Sequence, residues 1–321
     1  MYMKKKKILR KILFITVILL LFLFLGGSYY MGTLVVDGST QLVTNEDTKD
    51  ISESFWEKYG ISYETFQNTY EIKPLAIPSS FEGHTIPGDL IYSPEASKNT
   101  VVLVHGLGGN RYTNYPVAEF FLKNGYNVIT YDQRSSGENK AQKTTFGYWE
   151  KYDLMDCVSY AREKGLGDTI GIWGTSFGGA TAVQAAACEN TQDNLSFLIL
   201  DCPVSSMEWM IEEEMRQMDT GLPLSYLMFW GNLVNRIKLG FSYGDADCTK
   251  AAENIRIPTL VINSEADEVT PYFMGKDIYD SLGGARKELW TVPDSKHTDM
   301  WLDHNREYCE KVLSLLNEKA D

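Results

Sequence analysis

Between Lys11 and Asp37 the chain runs for 25 residues without a charged side chain, and within residues 12–25 Thr16 is the one polar residue. Residues 12–31 therefore predict a transmembrane helix, since 20 helical residues span roughly the 30 Å of a hydrocarbon core. Residues 32–69 are polar and acidic, with a short helical candidate at 51–59, and predict a juxtamembrane stalk that packs loosely. From residue 70 onward the pattern changes. Short β-rich runs at 89–92, 101–105, 128–132, 169–173, 197–201, 259–262 and 289–292 alternate with helical periodicity at 116–124, 153–164, 177–188 and 306–316. Such alternation predicts an α/β domain over 70–321, with a mostly parallel sheet covered by helices on both faces. Ligands in such folds bind at the carboxyl ends of the strands, which directs attention to the residues after each run. Residues 203–250 interrupt the alternation. Met207, Met210, Ile211, Met215 and Met218 fall at helical spacing, as do Tyr226, Phe229, Trp230, Leu233, Val234 and Ile237, so two amphipathic helices are expected there as an inserted cap. Its methionines suit either an adaptable acyl pocket or ordinary packing.

Charge sets the orientation expected of the first helix. Lys4 to Lys7, Arg10 and Lys11 make residues 1–11 a basic tail that should stay cytoplasmic, leaving everything after residue 32 outside the membrane. Gly26-Gly27-Ser28 also offers small residues at which a signal peptidase could cut, so a secreted product is the alternative. Six of the 30 cations precede Ile12, and the remaining 24 face 43 acids. That excess repels phosphate backbones and argues against a nucleic-acid partner. Cys157, Cys188, Cys202, Cys248 and Cys309 are scattered without a C-x-x-C, which indicates neither a zinc site nor a disulfide framework.

The strongest chemical signal is Gly174-Thr175-Ser176-Phe177-Gly178, which follows the 169–173 strand and opens an alanine-rich helix. G-x-S-x-G between strand and helix holds a serine on a sharp turn with Oγ exposed above the sheet. His105-Gly106-Leu107-Gly108-Gly109-Asn110 follows the 101–105 strand. It lacks the spacing of a phosphate-binding loop, but its backbone can aim one N–H, that of Leu107, at a developing oxyanion. The N–H of Phe177, the residue after the serine, would supply the second.

An activated serine needs a base, and the chain has four histidines: His84, His105, His297 and His304. His297 lies in a loop after the last strand, where an imidazole could reach a serine at the sheet edge, so it is preferred to His304 seven residues later. His105 is expected to be structural, and His84, before an early strand, structural or exposed. Asp267, after the 259–262 strand, is the candidate to orient the base, with Glu268 and Asp201 as rivals.

With Ser176, Asp267 and His297 in that chain order, the sequence resembles the α/β-hydrolase superfamily over about residues 70–318. Within it, the chain looks most like bacterial serine hydrolases of the esterase/lipase-like or serine-aminopeptidase-like branch. Tyr131-Asp132-Gln133-Arg134-Ser135-Ser136-Gly137-Glu138-Asn139 is similar to that branch's Asp-x-Arg-Gly-x-Gly-x-Ser stretch, with Ser135 and Asn139 as departures. The resemblance implies an α/β-hydrolase fold and hydrolysis of a small-molecule or lipid ester through an acyl-enzyme, without a metal or organic cofactor. A peptidase or amidase using the same residues and a non-catalytic scaffold binding an envelope partner are the alternatives. Oligomeric state has no signature in the sequence.

Overall fold

In a computed structural model the described residues are 2–218 and 220–317; Met1 and the end of the expected 70–321 domain, 318–321, lie outside them. Eight strands form one sheet: β1 (Ile72–Pro78), β2 (Thr85–Ile91), β3 (Asn99–Val104), β4 (Asn127–Tyr131), β5 (Thr169–Thr175), β6 (Phe197–Asp201), β7 (Thr259–Ser264) and β8 (Lys287–Val292). Their order is β1-β2-β4-β3-β5-β6-β7-β8, with β2 antiparallel to both β1 and β4 and every other pairing parallel. Strands β4, β6 and β7 are buried at every residue, which is why they read as continuous apolar runs rather than alternating ones.

One strand has no counterpart among the runs expected from the sequence. β1 contains Pro74 and Pro78, and proline removes a ladder donor, so such a run is usually discounted. The strand survives because it is the sheet's edge, pairing with β2 alone.

The described residues divide into two units. One holds Gln41–Met207 and Gly244 onward; the other holds the residues up to Thr40 together with Glu208–Tyr243. In the second unit α1 (Tyr2–Thr40) is 39 residues long, about 58 Å at 1.5 Å per residue, and is long and apolar enough to cross a membrane. It continues nine residues past the predicted end at 31. The helices expected in the cap are present at Met207–Gln217 and Leu224–Leu239.

Residues 41–69, expected as part of a loose stalk, belong to the sheet's unit and form α2 (Asn45–Thr48), α3 (Ser52–Tyr59) and α4 (Tyr63–Thr69). Their attachment is specific. The Trp56 indole donates to the Tyr112 carbonyl at 3.0 Å and stacks on Tyr63 at 4.4 Å, Phe66 stacks on Tyr115 at 4.5 Å, and Asn45 Nδ2 donates to the Asn139 carbonyl at 2.7 Å. Phe66 and Tyr70 are buried in the main core. Polar composition hid this packing, because the few aromatics that carry it are spread among exposed acids.

The remaining helices of this unit are α5 (Tyr115–Lys123), α6 (Glu150–Glu163), α7 (Phe177–Ala186), α8 (Glu189–Gln192), then, after α9 (Met207–Gln217) and α10 (Leu224–Leu239), α11 (Cys248–Ala252), α12 (Tyr272–Ser281), α13 (Met300–Asp303) and α14 (Asn305–Asn317). The helical stretches expected from periodicity correspond to α5, α6, α7 and α14.

Candidate active site

Ser176 sits between β5 and α7 with φ 54° and ψ −119°, a region costing a non-glycine residue about 1–3 kcal/mol. Neighbouring backbone holds it there. Ser176 N donates to the Asp201 carbonyl at 2.8 Å, while its own carbonyl accepts from Gly179 N at 2.9 Å and Val204 N at 3.2 Å. Two glycines make the turn possible by close approach rather than by flexibility: a Cβ on Gly178 would fall on the carbonyls of Val104 and His105, and one on Gly174 would meet the carbonyl of Gly178.

The structure brings the three polar candidates together. Ser176 Oγ lies 2.9 Å from His297 Nε2, and His297 Nδ1 lies 2.8 Å from Asp267 Oδ2. In this arrangement the carboxylate accepts from Nδ1–H, which leaves Nε2 unprotonated toward the hydroxyl. Asp267 is further fixed by the N–H groups of Val269 and Thr270, both 2.9 Å from Oδ1. Burial raises the Asp267 carboxyl, but the hydrogen bond and charge of His297, with the Thr270 N–H and hydroxyl, outweigh it and hold the group below the ordinary aspartate value. Thr270 is not among the residues singled out by sequence. Its Oγ1 stands 2.9 Å from Asp267 Oδ2 and 3.2 Å from His297 Nδ1, and the available signal is the turn pattern in which an aspartate binds backbone two and three residues on.

The rivals are elsewhere. Glu268 is exposed, and His304 Nε2 pairs with Asp294 at 2.8 Å. His84 Nε2 pairs with Asp153 at 2.8 Å. Buried His105 accepts from Gln133 N at Nε2 (3.0 Å) and donates from Nδ1 to the Gly106 carbonyl (2.8 Å), and burial lowers its pKa, so it is a neutral structural residue. The glycine-rich loop it opens runs beside the serine, where a Cβ on Gly106 would lie 3.3 Å from Ser176 Cβ. Phe177 is the first residue of α7, and the first N–H groups of a helix have no partner within it.

A family model described as alpha/beta hydrolase fold matches residues 99–229. The esterase Pf2001 of Pyrococcus furiosus superposes with a TM-score of 0.63 at 22% identity, covering 79% of this chain and 94% of that one. This chain has the α/β-hydrolase fold. The esterase EaEST of Exiguobacterium antarcticum has the same fold, with a TM-score of 0.55 at 18% identity over 76% of this chain and 99% of that one. In sequence, the chain is 27% identical over 263 residues to the uncharacterized protein YqkD of Bacillus subtilis, covering 81% of this chain and 83% of that one.

Beside Ser176 the protein has a cavity of about 250 Å³, walled by Phe55, Tyr59, Val117, Trp173 and Trp301 among others. Selectivity was expected from residues 203–250, yet two of these walls come from α3, in the segment expected as a stalk. Sequence periodicity could not reveal that, because the contact joins positions more than a hundred residues apart.

Asp201 also lines the cavity. Its Oδ2 accepts from the Tyr308 hydroxyl at 2.9 Å, which in turn accepts from Trp173 Nε1 at 2.8 Å. Asp201 is thus engaged at the end of β6 as an acceptor for Tyr308, while His297 pairs with Asp267. Burial pushes its pKa up to about 6. A carboxyl raised in the folded state binds its proton there more tightly than in the unfolded chain, so the stability it contributes is complete below about pH 4 and is lost as pH rises through 6. The interval between those two values is worth roughly 3 kcal/mol. Asp201→Asn is therefore expected to stabilise the protein by on the order of 1–3 kcal/mol at pH 8 and by almost nothing at pH 4. Thermal melts of both forms at the two pH values check this; an equal difference at both would refute it.

Cys202 Sγ, Asp267 and His297 lie within 4.8 Å of one another and are the one metal-like group among the described residues. They fit a metal poorly. A thiolate would be required, and burial pushes the Cys202 thiol well above its ordinary range. Cys157, Cys188, Cys248 and Cys309, like Cys202, form no disulfide.

Proposed function

We propose that this protein is a membrane-anchored serine hydrolase that cleaves a carboxylic ester through an acyl-enzyme on the outer face of the membrane. The observation that carries the reading is the unbroken hydrogen-bonded series Ser176 Oγ, His297 Nε2, His297 Nδ1, Asp267 Oδ2, at 2.9 and 2.8 Å. His297 takes the serine proton as Oγ attacks the carbonyl carbon. The N–H groups of Leu107 and Phe177 bind the oxyanion, and Asp267 stabilises the imidazolium. The imidazolium then protonates the departing alcohol; water, deprotonated by His297, attacks the acyl-enzyme and releases the acid. Each proton taken is returned, so the cycle needs no further reactant.

An ester rather than an amide is favoured by the esterases that share the fold, although a peptide bond would use the same residues. The purified full-length protein is expected to hydrolyse p-nitrophenyl acyl esters faster than peptide amides and to be labelled by a fluorophosphonate at Ser176. Amide turnover without ester turnover would shift the reading to a peptidase. A folded wild type that resists the fluorophosphonate would shift it to a non-catalytic scaffold. The outer-face orientation is supported by the basic flank at residues 4–11 and is read by protease protection in oriented vesicles.

A further inference from the structure

α1 and α10 lie side by side and run in the same direction. Phe24 and Ser28 meet Tyr226, with ring centroids 6.5 Å apart and the two hydroxyls 2.7 Å apart. A turn later Gly32 meets Trp230 and Val234, then Val35 meets Gly231, and Asp37 stands 3.7 Å from Lys238 Nζ. A Cβ on Gly32 would fall on the Trp230 carbonyl, and one on Gly231 on the Val35 side chain, so these glycines let the two backbones touch, as small residues do between membrane helices. Because residue numbers rise together along both helices, the start of α10 is level with the apolar part of α1.

Depth follows from this register. A hydrocarbon span beginning at Ile12 ends about 20 residues later, near Met31. Tyr226 is then about 5–10 Å inside the outer boundary, Phe229 is at the boundary, at about the level of Tyr29 and Tyr30, and Ile237, level with Asp37, is about 9 Å beyond it. Side-chain chemistry follows the same gradient. α10 has no acidic or basic residue from Leu224 to Asn235, and its cations, Arg236 and Lys238, come only in the last turn. Large apolar groups are left uncovered along this face: Leu222, just before α10, is 41% exposed, Phe229 62% and Ile237 61%, and only Ile237 stands beside the cations of the last turn. Aromatic residues at this depth suit a membrane interface.

We propose that the cap is itself a membrane-docking element, with Leu222 and the first two turns of α10 through Phe229 seated in the outer leaflet against α1. The occupant of this apolar face is lipid, because the helix that packs beside it is the apolar span. This inference rests on α1 crossing a membrane, as the proposed function holds. It goes beyond a tether: the cap's depth is set by its contact with the anchor, so a cut at residues 26–28 would break the helix opposite Tyr226.

The test uses the full-length chain in phosphatidylcholine nanodiscs, with Cys188→Ser and Cys309→Ser removing the half-buried thiols. Single substitutions Leu21→Cys, Phe229→Cys and Ile237→Cys, all at exposed side chains, carry a bimane label. Brominated acyl chains are expected to quench the labels at 21 and 229 at least two-fold, with iodide quenching only the label at 237. If the label at 21 is quenched by lipid while that at 229 is as open to iodide as that at 237, the docking proposal is overturned and the anchor stands. If the label at 21 is itself open to iodide, the anchor reading fails and the docking proposal with it.

Discussion

Ser176→Ala is expected to lower kcat for p-nitrophenyl esters by about 10⁴-fold or more, with the melting temperature held within a few degrees. Alanine removes the atom that forms the bond to the acyl carbon, whereas the backbone bonds holding residue 176 remain available. His297→Ala should cost a similar factor, and the double variant little more than either single one, since residues acting as one unit are not additive. Asp267→Asn is the more informative change. It keeps shape but replaces the acceptor of Nδ1–H, so the imidazole can present the wrong tautomer to the serine, with an expected loss of about 10⁴-fold. Initial rates with melting curves check all four. More than about 1% of wild-type kcat in Ser176→Ala would overturn the nucleophile assignment.

The second large effect concerns stability. Arg111 is buried between Asp89, 3.0 Å from its Nε, and Asp132, paired with Nη1, while Glu138 accepts from Nη2 at 2.7 Å and Asp132 also accepts from the Arg111 N–H at 2.8 Å. This residue follows the loop that carries Leu107, and Asp132 follows β4, so the pair ties together two loops at the carboxyl end of the sheet. Removing the cation leaves two carboxylates uncompensated in the interior. Arg111→Leu should therefore cost about 3–5 kcal/mol at pH 7.5. For a domain of this size that is on the order of 10 °C in melting temperature. Burial already raises the Asp89 carboxyl above its ordinary value, against the pull of Arg111. Without Arg111 nothing offsets the burial that raises Asp89, so it should take up a proton more readily as pH falls and the gap between variant and wild type should narrow. Melting curves at pH 7.5 and 5 read this directly; a loss under about 1 kcal/mol at pH 7.5, or a gap that widens toward acid, would contradict the account. Arg111→Lys should recover only part of the loss, because an ammonium cannot reproduce the forked contacts.

The Asp-x-Arg stretch contributes to this network in a way its resemblance to a family pattern did not indicate. Asp132 accepts from Arg111 and from Glu138 N, and Asn139, which departs from that pattern, donates to the Asp132 carbonyl at 2.9 Å. The departure is thus absorbed by a local hydrogen bond. Positive φ at Ser135 is likewise accommodated within a loop closed by the bond from its N–H to the Ala141 carbonyl at 2.8 Å.

Linear order was enough for the strand–helix alternation, and through it the parallel sheet, and for the strand-to-helix serine turn and the apolar run, because each can be read from neighbours along the chain. The candidate acid and histidine were also readable, since each follows its own strand and the sheet brings strand ends to one edge. Contacts between distant positions were not. Arg111 between Asp89 and Asp132, α3 walling the cavity and the pairing of residues 24–37 with α10 all depend on chain crossings whose free energy comes from packing. The extension of α1 past residue 31 belongs with them: the apolar run predicts about 20 residues of helix, and beyond it Gly32 meets Val234 and Val35 meets Gly231.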